Sequence, residues 1–169
     1  MKQTLKDIGT IAFDLILAII ITIIALNVIG ATLISTALGA EQPLTKEQEV
    51  VAQTILGEAR GEGEAGMYAV ACVIQKRVIN RHMKAHKVCL QEWKGIHQFS
   101  CWNDGKESNS LNTKQGIYAK LLATNLHRLQ LSYVKDADHY CTLNTHNYWT
   151  KKSEPVRIIG NHKFYKLRP

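Results

Sequence analysis

The sequence predicts an α+β domain, mainly helical with a small antiparallel sheet, preceded by one N-terminal transmembrane helix. Three observations carry this. Residues 15–39 are dense in Ile, Leu and Ala and hold no charged side chain. Three later stretches repeat apolar residues at helical spacing. From Asp138 onward, aromatic and polar residues alternate in short extended pieces. At 169 residues the chain has room for about one globular domain, which excludes large multidomain enzymes and long repeat arrays. Its 46% hydrophobic content and three Pro argue against disorder.

The expected organisation is a signal-anchor or transmembrane segment at residues 1–40 and a catalytic domain at 41–169. As a helix, residues 15–39 would reach about 37 Å, against a hydrocarbon core of about 30 Å. Lys2 and Lys6 precede the run, and Glu41, Glu47 and Glu49 follow it. The positive-inside bias then places the N-terminus inside and the following domain outside the cytoplasmic membrane. Ala37-Leu38-Gly39-Ala40 also reads as a small-residue cleavage site, but the apolar run is longer than the roughly 7–15 residues of a signal peptide core. In either case the domain is membrane-anchored or exported.

The exported part opens with a helix start, Thr45 as N-cap and Gln48 three residues later forming a capping box. Val50, Val51, Ile55 and Leu56 follow at helical spacing, and Gly57 with the glycines at 61, 63 and 66 is expected to break the helix. A second helix is predicted from about Glu64 to Asn80, with Met67, Val70, Ala71, Ile74 and Val78 on one face. Residues 81–112 read mostly as loop. A third helix is predicted from Asn112 or Thr113 to about Leu131, with Ile117, Leu121, Leu122, Leu126 and Leu129 as its apolar stripe.

Charge and cysteine usage fit export. The first forty residues carry two Lys and two Asp, so the formal charge of +7 belongs to the domain beyond them. Such a domain favours anionic surfaces such as wall polymers. Nucleic acid is not an expected partner, because there is no run of five or more Lys/Arg, no zinc-knuckle spacing, and the expected compartment is wrong. All four cysteines, Cys72, Cys89, Cys101 and Cys141, lie in the exported part. They allow three pairings; Cys89 with Cys101 is the expected bridge, and Cys72 reads as a buried helical residue.

The chemistry concentrates at Gly57-Glu58-Ala59-Arg60-Gly61-Glu62-Gly63-Glu64. A carboxyl at the end of an apolar helix, followed by glycines, sits at a core edge where a bulky ligand can approach the backbone. Apolar surroundings disfavour the charged form, which suits Glu58 to general-acid work. Glu62 and Glu64 read as dipole partners of the second helix.

The run Ala52-Gln53-Thr54-Ile55-Leu56-Gly57-Glu58-Ala59-Arg60-Gly61-Glu62 resembles the opening of the SleB-type cell wall hydrolases, the spore cortex-lytic family with phage and bacterial relatives. The similarity continues through Gly66–Ala71 and Val73–Val78. It returns at Gln98-Phe99-Ser100-Cys101-Trp102, Ala137-Asp138-His139-Tyr140, Trp149 and Ile159–Tyr165. The resemblance implies a lysozyme-like domain that cuts peptidoglycan glycan strands between N-acetylmuramic acid and N-acetylglucosamine. It implies lytic transglycosylation with Glu58 as the single catalytic residue and no cofactor. Gln98, Phe99, Tyr140, Trp149 and His162 would then bind the saccharide through rings and polar groups.

Ordinary hydrolysis, as by a lysozyme-type muramidase, usually needs a second carboxylate. Asp104, Asp136 and Asp138 are the candidates. A zinc amidase is disfavoured, since His82 and His86 flank Met83 and do not form the H-E-x-x-H arrangement. Lys76-Arg77 to Lys84-Lys87 reads as a solvated basic face. A Cys141–His139 peptidase pair and a non-catalytic wall-binding module complete the alternatives; host lysis, as by an endolysin, and wall remodelling are both open.

Overall fold

The structure is a computed structural model that describes residues 22–23, 43–103 and 110–168. The chain divides into Met1–Pro43 and Leu44–Pro169, and the second unit is described here. The expected membrane span at 15–39 lies outside the described residues except for Thr22 and Ile23. Among the described residues no helix is long and apolar enough to cross a membrane. Asp104 also lies outside them.

Helix α1, Lys46–Ala59, starts as its sequence predicts. The Thr45 hydroxyl accepts the Gln48 N–H at 3.2 Å, and Gln48 Oε1 accepts the Thr45 N–H at 3.0 Å. Val51, Ala52, Ile55, Leu56 and Ala59 form its buried stripe. Gly57 does not end the helix. An interior glycine costs about 1 kcal/mol relative to alanine, and the burial around it offsets that. The chain turns instead through a 3₁₀ segment, Arg60–Glu62, into Gly63, whose φ of +67° favours glycine.

Helix α2, Gly63–Arg81, is the spine of the domain. Met67, Val70, Ala71 and Ile74 pack into one core cluster with α1. Ala69, Cys72 and Val73 pack into a second with Val134, Ala137 and Phe164. Burial on both sides explains why its apolar residues do not keep to one stripe.

Residues 81–103 are more ordered than expected. They contain helix α3, Ala85–Cys89, and a hairpin of β1, Glu92–Trp93, and β2, Ile96–His97. Lys94 and Gly95 make its two-residue turn, both at positive φ. A 3₁₀ turn at Ser100–Trp102 follows.

Helix α4, Lys114–Thr124, is capped by Thr113, whose hydroxyl accepts the Gly116 N–H at 3.0 Å. It stops well short of Leu131. Thr124 Oγ1 and Asn125 Nδ2 take the carbonyl of Leu121 and compete with helix continuation. Two 3₁₀ turns, Leu126–Arg128 and Leu131–Val134, carry the chain on. The predicted stripe is half right. Leu122 and Leu126 are buried, whereas Ile117 and Leu121 are exposed; the inward face also uses Gly116, Ala119 and Ala123.

The tail forms an antiparallel sheet in the order β3 (His139–Thr142), β5 (His162–Tyr165), β4 (Arg157–Ile159). Tyr140 pairs with Phe164, and His139 with Tyr165. Alternation puts Tyr140, Phe164 and His162 on one face, and His139 and Tyr165 on the other.

Candidate active site

Glu58 occupies the last turn of α1, half-buried. Donors from two other parts of the fold close on its carboxylate. Its Oε1 accepts the Cys101 N–H at 2.7 Å and the Ser100 hydroxyl at 3.1 Å. Its Oε2 accepts the Tyr140 hydroxyl at 2.7 Å. The Ser100–Trp102 turn is itself fastened to α1. Trp102 Nε1 donates to the hydroxyl of Thr54, one helical turn before Glu58, at 3.0 Å. Burial, then Glu58's charge, pushes the Tyr140 hydroxyl far above the ordinary tyrosine range, so it remains a donor at any working pH.

The sheet side is held by a second carboxylate, Glu62. Its Oε2 accepts the Asn161 N–H at 2.7 Å and its Oε1 the Asn161 amide at 3.2 Å. The backbone bond from Asn161 leads the causes that hold its carboxyl below the usual range. Gly160, at φ +55°, makes room: a Cβ there would stand 2.1 Å from Glu62 Oε2. Glu62 is thus a tether for the β4–β5 turn, beyond the dipole role its position suggested. His162 is almost wholly buried, edge-on to Tyr140 at 5.1 Å between ring centroids. Burial lowers its pKa against the pull of Glu62 and Glu58.

The predicted saccharide contacts divide. Tyr140 and His162 lie at Glu58, Tyr140 as a donor to the carboxylate itself. Gln98 is exposed on the chain leading into Ser100, and its Oε1 accepts from Arg81 at 3.1 Å. Phe99 is wholly buried, so its ring supports the site from beneath and offers no face to a sugar. Trp149 packs on His139 and Tyr165, with centroids 5.6 and 5.0 Å away, on the opposite sheet face from Tyr140.

The second-carboxylate candidates have other partners. Asp136 lies 3.6 Å from Lys76. Asp138 is buried, accepts the Leu167 N–H at 2.8 Å, and lies 3.0 Å from His139 Nδ1. Burial works to raise its carboxyl, but the contacts with His139, Leu167 and Arg77 outweigh that and leave it low. Arg77, expected on a solvated basic face, is instead buried. The bridge between Cys89 and Cys101 is not formed; all four cysteines are free thiols. Burial pushes Cys72 and Cys89 up to about 12, and Cys101 upward as well. The Cys141 thiol approaches the Thr145 carbonyl at 3.9 Å instead of forming a Cys–His pair. Among the described residues no His, Cys, Asp and Glu cluster could hold a metal ion.

Nothing in the sequence motifs alone marks Thr54, Arg77 and Glu62 as parts of this site or assigns roles to Ser100, Cys101 and Trp102. One signal was available: Thr54, Glu58 and Glu62 are spaced by four, so a continuing helix would place them on one side.

Fold and site together define a small, mainly helical α+β enzyme domain built around one clamped carboxylate. Two solved structures share the fold. The catalytic domain of the germination-specific lytic transglycosylase SleB of Bacillus anthracis is 21% identical, with a TM-score of 0.57, covering 75% of this chain and 98% of that one. The catalytic domain of the Bacillus cereus SleB protein is 23% identical, with a TM-score of 0.56, covering 75% and 94%. No curated protein matches the chain in sequence. Residues 61–165 match the family described as Cell Wall Hydrolase; the chain belongs to that family and is an enzyme of it. The matched stretch begins three residues after Glu58 and contains Ser100, Cys101, Tyr140 and Glu62.

Proposed function

We propose that this enzyme cuts the glycan backbone of peptidoglycan between N-acetylmuramic acid and N-acetylglucosamine as a lytic transglycosylase, with Glu58 as acid and then base. The observation that supports this is the clamp: three donors from two elements fix both oxygens of one half-buried carboxylate. The backbone N–H of Cys101 can only donate, so Oε1 is bound as an acceptor. The Tyr140 hydroxyl can donate or accept, which leaves Oε2 as the oxygen that carries the transferable proton.

Glu58 gives that proton to the bridging oxygen as the bond to C1 breaks and an oxocarbenium-like state develops. The resulting carboxylate meets the Tyr140 hydroxyl, the Cys101 N–H and the Ser100 hydroxyl as donors. It then removes the proton from the sugar's own 6-hydroxyl while that oxygen bonds to C1. The products are a 1,6-anhydro end and a free hydroxyl, with Glu58 again protonated. No water is consumed and no second carboxylate is needed. The positive domain charge suits it to an anionic wall. We further propose that residues 15–39 carry the domain across or into the cytoplasmic membrane, so that it works on the outer side.

Purified sacculi treated with wild type and Glu58→Gln test the reading. Clearing should vanish in the variant, and wild-type fragments should carry 1,6-anhydro ends by mass spectrometry. Undiminished clearing by the variant removes Glu58 from the mechanism. Reducing ends indicate muramidase chemistry, and severed stem peptides indicate an amidase. Sacculus binding without products indicates a wall-binding module.

A further inference from the structure

Arg77 sits on α2 with 6% of its surface exposed, a rare position for an arginine. Its guanidinium lies over the Phe99 ring, 5.0 Å from the centroid. Its Nε–H donates to the Asp138 carbonyl at 2.7 Å. Its Nη1 is enclosed and has no hydrogen-bond partner among the described residues.

These two contacts fall on the two arms of the clamp. Phe99 immediately precedes Ser100 and Cys101, which hold Oε1. Asp138 lies two residues before Tyr140, which holds Oε2. The Phe99 and Tyr140 rings also meet, 6.4 Å apart. One side chain therefore touches a chain neighbour of the donors on each arm.

We infer that Arg77 is a positioning residue for Glu58, bracing both donor arms and keeping a buried positive charge beside the carboxylate left after proton donation. This rests on the reading of Glu58 as the acid. A methionine of similar length could fill the space without the cost of burying a charge, so packing alone does not account for an arginine here. The groups that face the guanidinium are Tyr140 on β3, Asp138 just before that strand, Cys89 on α3 and Glu58 on α1, with Arg81 a turn away on α2. Burial works to strip its proton and those four groups oppose it; arginine stays charged in proteins.

Arg77→Met, Arg77→Lys and Glu58→Gln in the full chain test this, with kcat, KM and the rate–pH profile measured on sacculi and folding checked by near-ultraviolet circular dichroism. Arg77→Met should lose about 10–100-fold in kcat with KM within about twofold. Its alkaline limb should move to higher pH, because removing a positive charge favours the protonated carboxyl. Arg77→Lys keeps the charge but loses the fork, so kcat should fall while the limb stays in place. Wild-type kcat in Arg77→Met, or a loss with the limb unmoved, overturns the inference. If Arg77→Met does not fold, Arg77→Lys decides, and full kcat there overturns it. Turnover by Glu58→Gln sinks both readings; an inactive Glu58→Gln beside a wild-type-like Arg77→Met sinks only this one.

Discussion

Replacing Tyr140 with Phe removes one atom from the clamp and leaves the ring. That ring is held by Phe99, His162 and Phe164, at 6.4, 5.1 and 5.8 Å between centroids, so it should stay where it is. What is lost is the 2.7 Å bond to Glu58 Oε2. A hydrogen bond to a charged group is worth about 1.5–3 kcal/mol. On the proposal that Glu58 is the acid, the bond counts toward rate, because it would be strongest once the proton has been given up. At about 1.4 kcal/mol per tenfold, kcat should fall about 10–100-fold. Stability should change by less than about 1 kcal/mol, since the half-buried carboxyl can take water in place of the phenol. The assay is the initial rate on sacculi at saturating and limiting substrate, with a thermal melt alongside. A wild-type kcat, or a rise in KM alone, would show that Tyr140 serves substrate binding and not the acid.

Two further outcomes concern the sheet tether. Glu62 is held below its unfolded value, chiefly by the Asn161 backbone bond. Its stabilisation is therefore complete above the unfolded pKa of about 4.3 and is lost as pH falls through the folded value. Glu62→Gln should accordingly melt below wild type near neutrality, with the gap closing under about pH 4; a gap that persists in acid refutes the charge's role. Gly160→Ala should destabilise by about 1–3 kcal/mol, because it adds a Cβ at positive φ into the space of Glu62 Oε2. Pairing it with Glu62→Ala should recover part of the loss, and a strictly additive double variant would show that the two positions do not meet.

Much of this was legible in the chain, for identifiable reasons. Thr45 and Gln48 mark the start of α1 because a capping box needs only local chemistry. Glu58 stood out through its motif and its place after an apolar turn. Other features depend on what lies across the fold. Lys94-Gly95 is a weaker hairpin signal than Asn-Gly, so β1 and β2 passed as loop. Leu121 fits a helical stripe, but the face buried with α1 uses Ala119, Leu122 and Ala123, and Gly116 lies close against the backbone of Ser110 and Leu111. Arg77 looked solvated beside Lys76, and only the tertiary arrangement tucks it beneath Phe99. Trp149 shares a sequence neighbourhood with Tyr140, yet strand alternation sends the partners of each to opposite faces.

The grip on Glu58 comes from neither its own helix nor a single neighbour. One hand reaches over from the turn after the small hairpin and the other from the C-terminal sheet, some forty and eighty positions further along the chain. A chain whose sheet has not yet docked carries Glu58 but not its setting, so the assembled site depends on long-range contacts that helix formation alone cannot supply.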